Sequence, residues 1–402
     1  MEVACADSNL HYREVRSALK RSLLVGSFLC SRYSFSPYMA CGHGCRYCDG
    51  RAEKYWVEGD FERDIVARRN LPDLLRRELP RLRERAPIAI GSGISDAYQP
   101  LEASLGLMRE CAAILAEHDF PVTLLTKSSL VLRDADLWAR VNARSGFTLN
   151  LTIATLDESV RERFEPGAGP IAERLAALRE FKGIGCPVGV MAMPLLPFVS
   201  DAEEDIRRLI LAAREAGADF VMPGGLTLRP GRQKDFYMQE IRRSYPALEE
   251  RYEALYSENR PSGACRLEHR RSLADRISGA AQGLGVPFLL PHARYRGRLP
   301  LYDELHLLLI HMAELYAARG IPTRALKQAT ERYAAWLTER KRIFNRKRSL
   351  RQVDVEREVL DLFTERRAEN MLGNAKLAAF LREVALDCKV FDYLTLSLGP
   401  AA

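Results

Sequence analysis

At 402 residues, with 47% hydrophobic and 28% charged content, the chain has material for one large domain plus an appendage and needs no covalent staples to fold. Its nine cysteines are odd in number and only three are clustered, which excludes a complete disulfide framework and points to a reducing, cytoplasmic setting. A formal net charge of +7 permits a polyanionic partner without identifying one, and no apolar run approaches the roughly 18 residues that cross a bilayer, so no membrane partner is expected.

Residues 1–34 read as an N-terminal lead-in. Arg16, Lys20 and Arg21 precede the apolar run Leu23–Cys30, which is too short and too poor in small residues near its end for a secretory leader. From 35 to 260, short β-branched runs alternate with amphipathic stretches, the pattern of repeated βα units on a parallel sheet. Strands are predicted at Phe35–Ala40, Ile88–Ser92, Val122–Thr126, Phe147–Ile153, Val188–Met193 and Phe220–Pro223. Helices are predicted at Arg63–Glu84, Leu101–Glu117 and Ala202–Ala216, with Asp134 and Ser200-Asp201 as capping candidates. The expected fold class is α/β, a partial (β/α)6 barrel. Residues 261–300 read as a linker region, and 301–402 as a helical C-terminal region with helices at Leu301–Ala318, Thr323–Arg340, Val353–Glu365 and Ala375–Leu386. Between Arg340 and Arg351 stand seven basic residues and no acid. Such a run suits phosphate, which makes nucleic acid a candidate partner, although a solvated helix face has the same composition.

The loop after the first predicted strand is Cys41-Gly42-His43-Gly44-Cys45-Arg46-Tyr47-Cys48. Its C-x3-C-x2-C spacing lets three thiolates of one compact turn reach three corners of an iron–sulfur cube and leaves the fourth iron open. The competing reading is a structural zinc site with His43 as fourth ligand, in a noncatalytic nucleic-acid-binding protein.

This loop resembles that of the radical S-adenosylmethionine (SAM) superfamily. Further segments resemble its spore photoproduct lyase-like branch: Ser36-Pro37-Tyr38, Gly91 to Pro100, Thr126-Lys127-Ser128, Leu151-Thr152-Ile153 with Thr155-Leu156-Asp157, and Gly189 to Pro194. The resemblance implies a partial barrel of the radical SAM type. It also implies a [4Fe–4S] cluster on Cys41, Cys45 and Cys48, SAM chelated to the open iron, an external electron donor, and a 5′-deoxyadenosyl radical that abstracts hydrogen from a substrate. SAM contacts are expected at Ser95 and Thr152 (hydroxyls for the methionine and ribose portions), Lys127 (the carboxylate) and Tyr47 (the base). Each has a structural reading too: Ser95 as a cap, Thr152 as an ordinary strand residue, Lys127 paired with Asp96 or Asp157. The lyase's hydrogen-donating cysteine corresponds to Gly93 and a further expected tyrosine to Asp49, so thymine-dimer repair is not implied with the scaffold. Cys111 and Cys186 read as buried structural thiols, Cys265 is left open, and His292, His306 and His311 read as satisfied or partly buried histidines.

Overall fold

The computed structural model describes residues 9–91 and 94–400. Strands β1 (Asn9–Arg13), β2 (Lys20–Gly26), β3 (Ser31–Phe35), β4 (Tyr38–Met39) and β5 (Asp64–Arg68) come first. They are followed by β6 (Ile88–Ile90), β7 (Val122–Thr126), β8 (Phe147–Thr152), β9 (Val188–Leu195) and β10 (Phe220–Gly225). The main sheet has seven strands in the order β10-β9-β8-β7-β6-β3-β2. Every pair from β3 to β10 is parallel, whereas β2 adds antiparallel to β3. Because β10 does not pair with β2, this is a barrel of six parallel strands left open on one side.

Helices α1 (Leu71–Glu78), α2 (Glu102–Leu105), α3 (Leu107–Leu115), α4 (Ala135–Arg144), α5 (Glu158–Phe164), α6 (Ile171–Gly183) and α7 (Glu203–Glu215) fill the crossovers. Then come α8 (Arg232–Ser244), α9 (Glu249–Leu255), α10 (Leu267–Leu284) and α11 (His292–Tyr295). The C-terminal region holds α12 (Leu301–Ala318), α13 (Arg324–Arg346), α14 (Gln352–Thr364), α15 (Ala368–Leu372) and α16 (Ala375–Ala385), with a small hairpin of β11 (Val390–Asp392) and β12 (Ser397–Gly399).

Alternation along each strand divides the core in two. Ile88, Ile90, Leu149, Leu151, Val188 and Val190 point to the crossover helices, in one cluster with Trp138, Phe181 and Leu209. Ala89, Met191, Phe220 and Met222 point the other way and share a second cluster with Leu305, Leu308 and Leu309 of α12. α12 is buried on nearly all sides, with Leu305 and Leu307 to Leu309 supplying apolar surface and the buried Asp303, Glu304 and His311 bonded to other side chains. The C-terminal region is therefore built onto the barrel and shares its core.

Several sequence expectations are corrected. The first barrel strand is Ser31–Phe35, so a boundary at 34/35 cuts a strand, and β2 makes the lead-in part of the sheet. Tyr38–Met39 instead joins β1 and β5 in a separate three-stranded sheet. Arg63–Glu84 begins as strand β5, where Ile65 and Ala67 alternate inward, and only Leu71 starts the helix. Gly106, at φ 63°, splits Leu101–Glu117 into two helices. The stretch 261–300 carries the 18-residue α10, whose Leu273, Ala280 and Ala281 enter the barrel core. Asp134 does not cap α4 through its side chain but accepts from Tyr98, Arg109 and Arg133, and the N-cap of α7 is Ala202.

Candidate active site

The cysteine loop sits where the strands end at their C-termini, the face on which α/β barrels carry their sites. Gly44 takes φ 62° to turn the loop between Cys41 and Cys45. The loop is tied down on several sides: Cys41 N–H donates to Phe61 O, Arg46 N–H to Phe164 O, and Gly42 N–H to the Gln99 amide oxygen at 2.8 Å. Gly167 lies against it so closely that a Cβ there would stand 2.2 Å from Gly42 O.

Cys41, Cys45, Cys48, Tyr47, Ser95, Lys127 and Thr152 all line one cavity of about 280 Å³, together with Met193, Pro194 and Gly225 to Thr227. Residues more than a hundred positions apart thus meet in one place. The Ser95 hydroxyl is buried without a hydrogen-bond partner among the described residues, so it is no helix cap there. Thr152 ends β8, with its carbonyl accepting from Arg174 at 3.0 Å.

Lys127 pairs with neither Asp96 nor Asp157 through its ammonium. Its Nζ lies 3.4 Å from Glu165 Oε1 and 5.3 Å from the Tyr47 ring centroid, while its backbone N–H donates to Asp96 at 2.8 Å. Glu165 is the residue that sequence reasoning missed. Buried to 3% exposure, it accepts from the Tyr47 hydroxyl and faces Arg174 Nη1 at 2.6 Å. Burial alone would raise its carboxyl, but Lys127, Arg174 and the hydrogen bonds bring it down to about 2. Asp96 behaves alike: burial opposes its charge, and His43, Thr126 and the Tyr98 N–H hold the carboxyl below the ordinary range.

Two metal readings bear on this loop. His43 turns Nδ1 to Gly167 O at 3.0 Å, and its Nε2 stands 3.3 Å from Asp96. Among the described residues no three Cys, His, Asp or Glu side chains are arranged around a single ion. A cube, with its thiolates on separate corners, suits three cysteines spread along one cavity wall. Burial raises all three thiols, Cys45 to about 12, and an iron centre held by them would supply the positive charge that a buried thiolate requires.

The remaining candidates fall elsewhere. Gly93 and Cys5 lie outside the described residues. Asp49 lines the cavity but is held by Arg229 at 2.6 Å and by the Tyr55 hydroxyl at 2.6 Å. Cys111 and Cys186 are buried away from the cavity, whereas Cys265 lines a neighbouring one that shares Gly225 to Thr227. His292 and His311 bond Glu304 and Tyr393, far along the chain from the cysteine loop.

Fold and cavity together define a partial-barrel enzyme with a three-cysteine loop at its strand C-termini. A sequence profile described as the radical SAM superfamily matches residues 35–210. An uncharacterized protein of Mycobacterium tuberculosis is 31% identical over 230 residues, covering 56% of this chain and 67% of the relative. An uncharacterized protein of Methanocaldococcus jannaschii is 27% identical over 226 residues, covering 56% and 80%. The chain belongs to the radical SAM superfamily and is an enzyme of that family. Its fold is that of spore photoproduct lyase: the lyase complexed with dinucleoside spore photoproduct superposes with a TM-score of 0.52 over 68% of this chain and 79% of the lyase, at 18% identity. Among the described residues no helix is long and apolar enough to cross a membrane.

Proposed function

We propose that the chain is a hydrogen-abstracting radical SAM enzyme whose Cys41, Cys45 and Cys48 hold one [4Fe–4S] cluster, with SAM bound beside it. The observation that supports this reading is the convergence of the three thiols, the partnerless Ser95 hydroxyl and the Lys127 ammonium on one cavity. When bound, cluster and SAM supply a one-electron cleavage of the sulfonium, fed by an external donor, that yields a 5′-deoxyadenosyl radical.

The protein's own part is to bind and orient. Lys127, Arg174 and Glu165 together carry one positive charge, so Lys127 keeps attraction for the SAM carboxylate after Glu165 has fixed its place. Ser95 offers a hydroxyl whose hydrogen bonds the fold leaves unmade, and Thr152 offers a second at the end of β8. Tyr47, anchored through its hydroxyl to Glu165, presents its ring toward the base. The substrate reaches the cavity from the side of Gly225 to Thr227, where the neighbouring compartment opens.

Anaerobic reconstitution with iron and sulfide, followed by SAM and a strong reductant, tests the reading through release of 5′-deoxyadenosine. The wild-type chain is expected to bind about four irons and to release this product, and Cys41→Ala, Cys45→Ala and Cys48→Ala are each expected to abolish it. Stoichiometric zinc in place of iron, or full activity in any of the three variants, would overturn the proposal. Deuterium carried from a candidate substrate into 5′-deoxyadenosine identifies the hydrogen source.

A further inference from the structure

The basic stretch noticed in the sequence lies at the opposite end of the barrel from the cysteine loop. Arg83, just before β6, donates to Phe344 O at 2.8 Å and to Lys347 O at 3.0 Å, which pins the last turn of α13 beneath the N-terminal ends of the strands. Two of the seven basic residues already have acidic partners, one of them inside the protein. Lys341 is 1% exposed and bonds Asp303 at 2.7 Å and Glu84 at 3.2 Å, and Arg340 pairs with Glu358 at 3.0 Å. Arg351 stands 3.9 Å from Asp354. Arg346, Lys347 and Arg348 are exposed and have no acidic partner among the described residues.

Beside this turn is a cavity of about 330 Å³ lined by Arg21, Arg32, Arg81, Arg83, Phe344 and Asn345, with Glu84 its one acid. Glu84 is consumed by Arg32, Lys341 and the Tyr302 hydroxyl, so it does not neutralise the rest. Arg32 is 6% exposed, yet its Nε has no hydrogen-bond partner among the described residues. Arg81 has no acidic partner among them either, and Arg21 reaches Glu78 only at 4.0 Å. The negative end of the α13 dipole, which would repel an anion, is covered by Arg83. A buried donor left unmade beside surplus arginines is costly unless an anion completes it.

We infer that this end of the molecule is a phosphate-binding site for a nucleic-acid backbone. One phosphate sits in the cavity on Arg21, Arg32 and Arg81, and its neighbours along the chain lie on Arg346, Lys347 and Arg348. Since the sheet separates this site from the cysteine loop, it anchors a polynucleotide to the enzyme and takes no part in the chemistry. The inference does not depend on the radical reaction.

The test is fluorescence anisotropy of the full chain with labelled 20-nucleotide single-stranded DNA, RNA and duplex DNA across a salt series, with inorganic pyrophosphate as competitor. Binding is expected at about 50 mM salt, weakening steeply as salt rises, with pyrophosphate displacing the oligonucleotide. The combined R346A/K347A/R348A variant is expected to weaken binding at least tenfold and to flatten the log–log salt slope by about 2–3. Arg81→Glu, at an exposed cavity position, is expected to weaken both oligonucleotide and pyrophosphate binding about tenfold, with an unchanged urea midpoint showing that each variant folds. Absence of oligonucleotide binding at low salt, affinity unchanged in both variants, or binding confined to anionic lipid vesicles would overturn the assignment.

Discussion

Glu165 is ionised in a place where a lone carboxylate would not survive, because Lys127 and Arg174 flank it and the Tyr47 hydroxyl donates to it. Replacing it by Gln leaves Arg174, 1% exposed, without a counter-charge, and the expected cost is about 3 kcal/mol or more in urea unfolding. The sign with pH follows from its depressed carboxyl. With a folded value near 2 against an ordinary 4.5, its stabilisation is complete above about pH 4.5 and is lost as pH falls through 2. Between these limits Glu165→Gln should show a shallower acid-induced loss of stability than wild type, and equal slopes would refute the electrostatic role. The cysteines were legible in the sequence because their chemistry is local, three thiols within eight positions. Glu165 was not, since it meets Tyr47 only across 118 residues and no spacing rule joins them.

At the scale of elements, β9 and β10 show how neighbouring strands are held at their N-terminal ends, away from the cavity. Phe220 stands in register with Gly189, and a Cβ on that glycine would meet the Phe220 ring at 2.3 Å. Gly189→Ala is therefore expected to destabilise by about 1–3 kcal/mol through overpacking. The further change Phe220→Leu in the same chain should return part of that loss, a coupling that a double-mutant cycle in urea measures; strict additivity would rule out the contact as its source. Strands β6 to β10 were readable because each is a short apolar run bounded by turns, whereas the three-residue strands β11 and β12 were not. β5 was hidden as well, since its five residues, Asp-Ile-Val-Ala-Arg, run into a long charged stretch whose overall composition favours helix. In α10 the signal was present, with Leu273, Ile277, Ala280, Ala281 and Leu284 at helical spacing and Gly285 ending the helix at φ 64°. Its flanking arginines and prolines masked it as a connector.

The whole molecule unfolds as one body if the second core cluster binds barrel and C-terminal helices together. Two packed tryptophans report on the two halves: Trp138, buried against the outer helices of the barrel, and Trp336, partly buried and packed on Tyr333 of α13. Variants Trp336→Phe and Trp138→Phe, each followed by the other of these two tryptophans, are expected to give the same urea midpoint. Lys341→Ala, which strands Asp303 in the interior and takes one of three partners from Glu84, should lower both midpoints together by about 3–5 kcal/mol in stability. Two separable transitions would contradict the shared core. The domain plan taken from the sequence treated the helices as an appendage, because periodicity within α12 shows that it is buried but not what buries it.

The position of α12 also bears on how the molecule comes into being during synthesis. Translation proceeds from the N-terminus, and the cysteine loop at 41–48 emerges long before residues 301–318. Until α12 leaves the ribosome, one apolar face of the nascent sheet, with Met191, Phe220 and Met222, has nothing to cover it. The growing chain is thus exposed to aggregation from the completion of β10 at Gly225 until α12, Leu301–Ala318, has emerged.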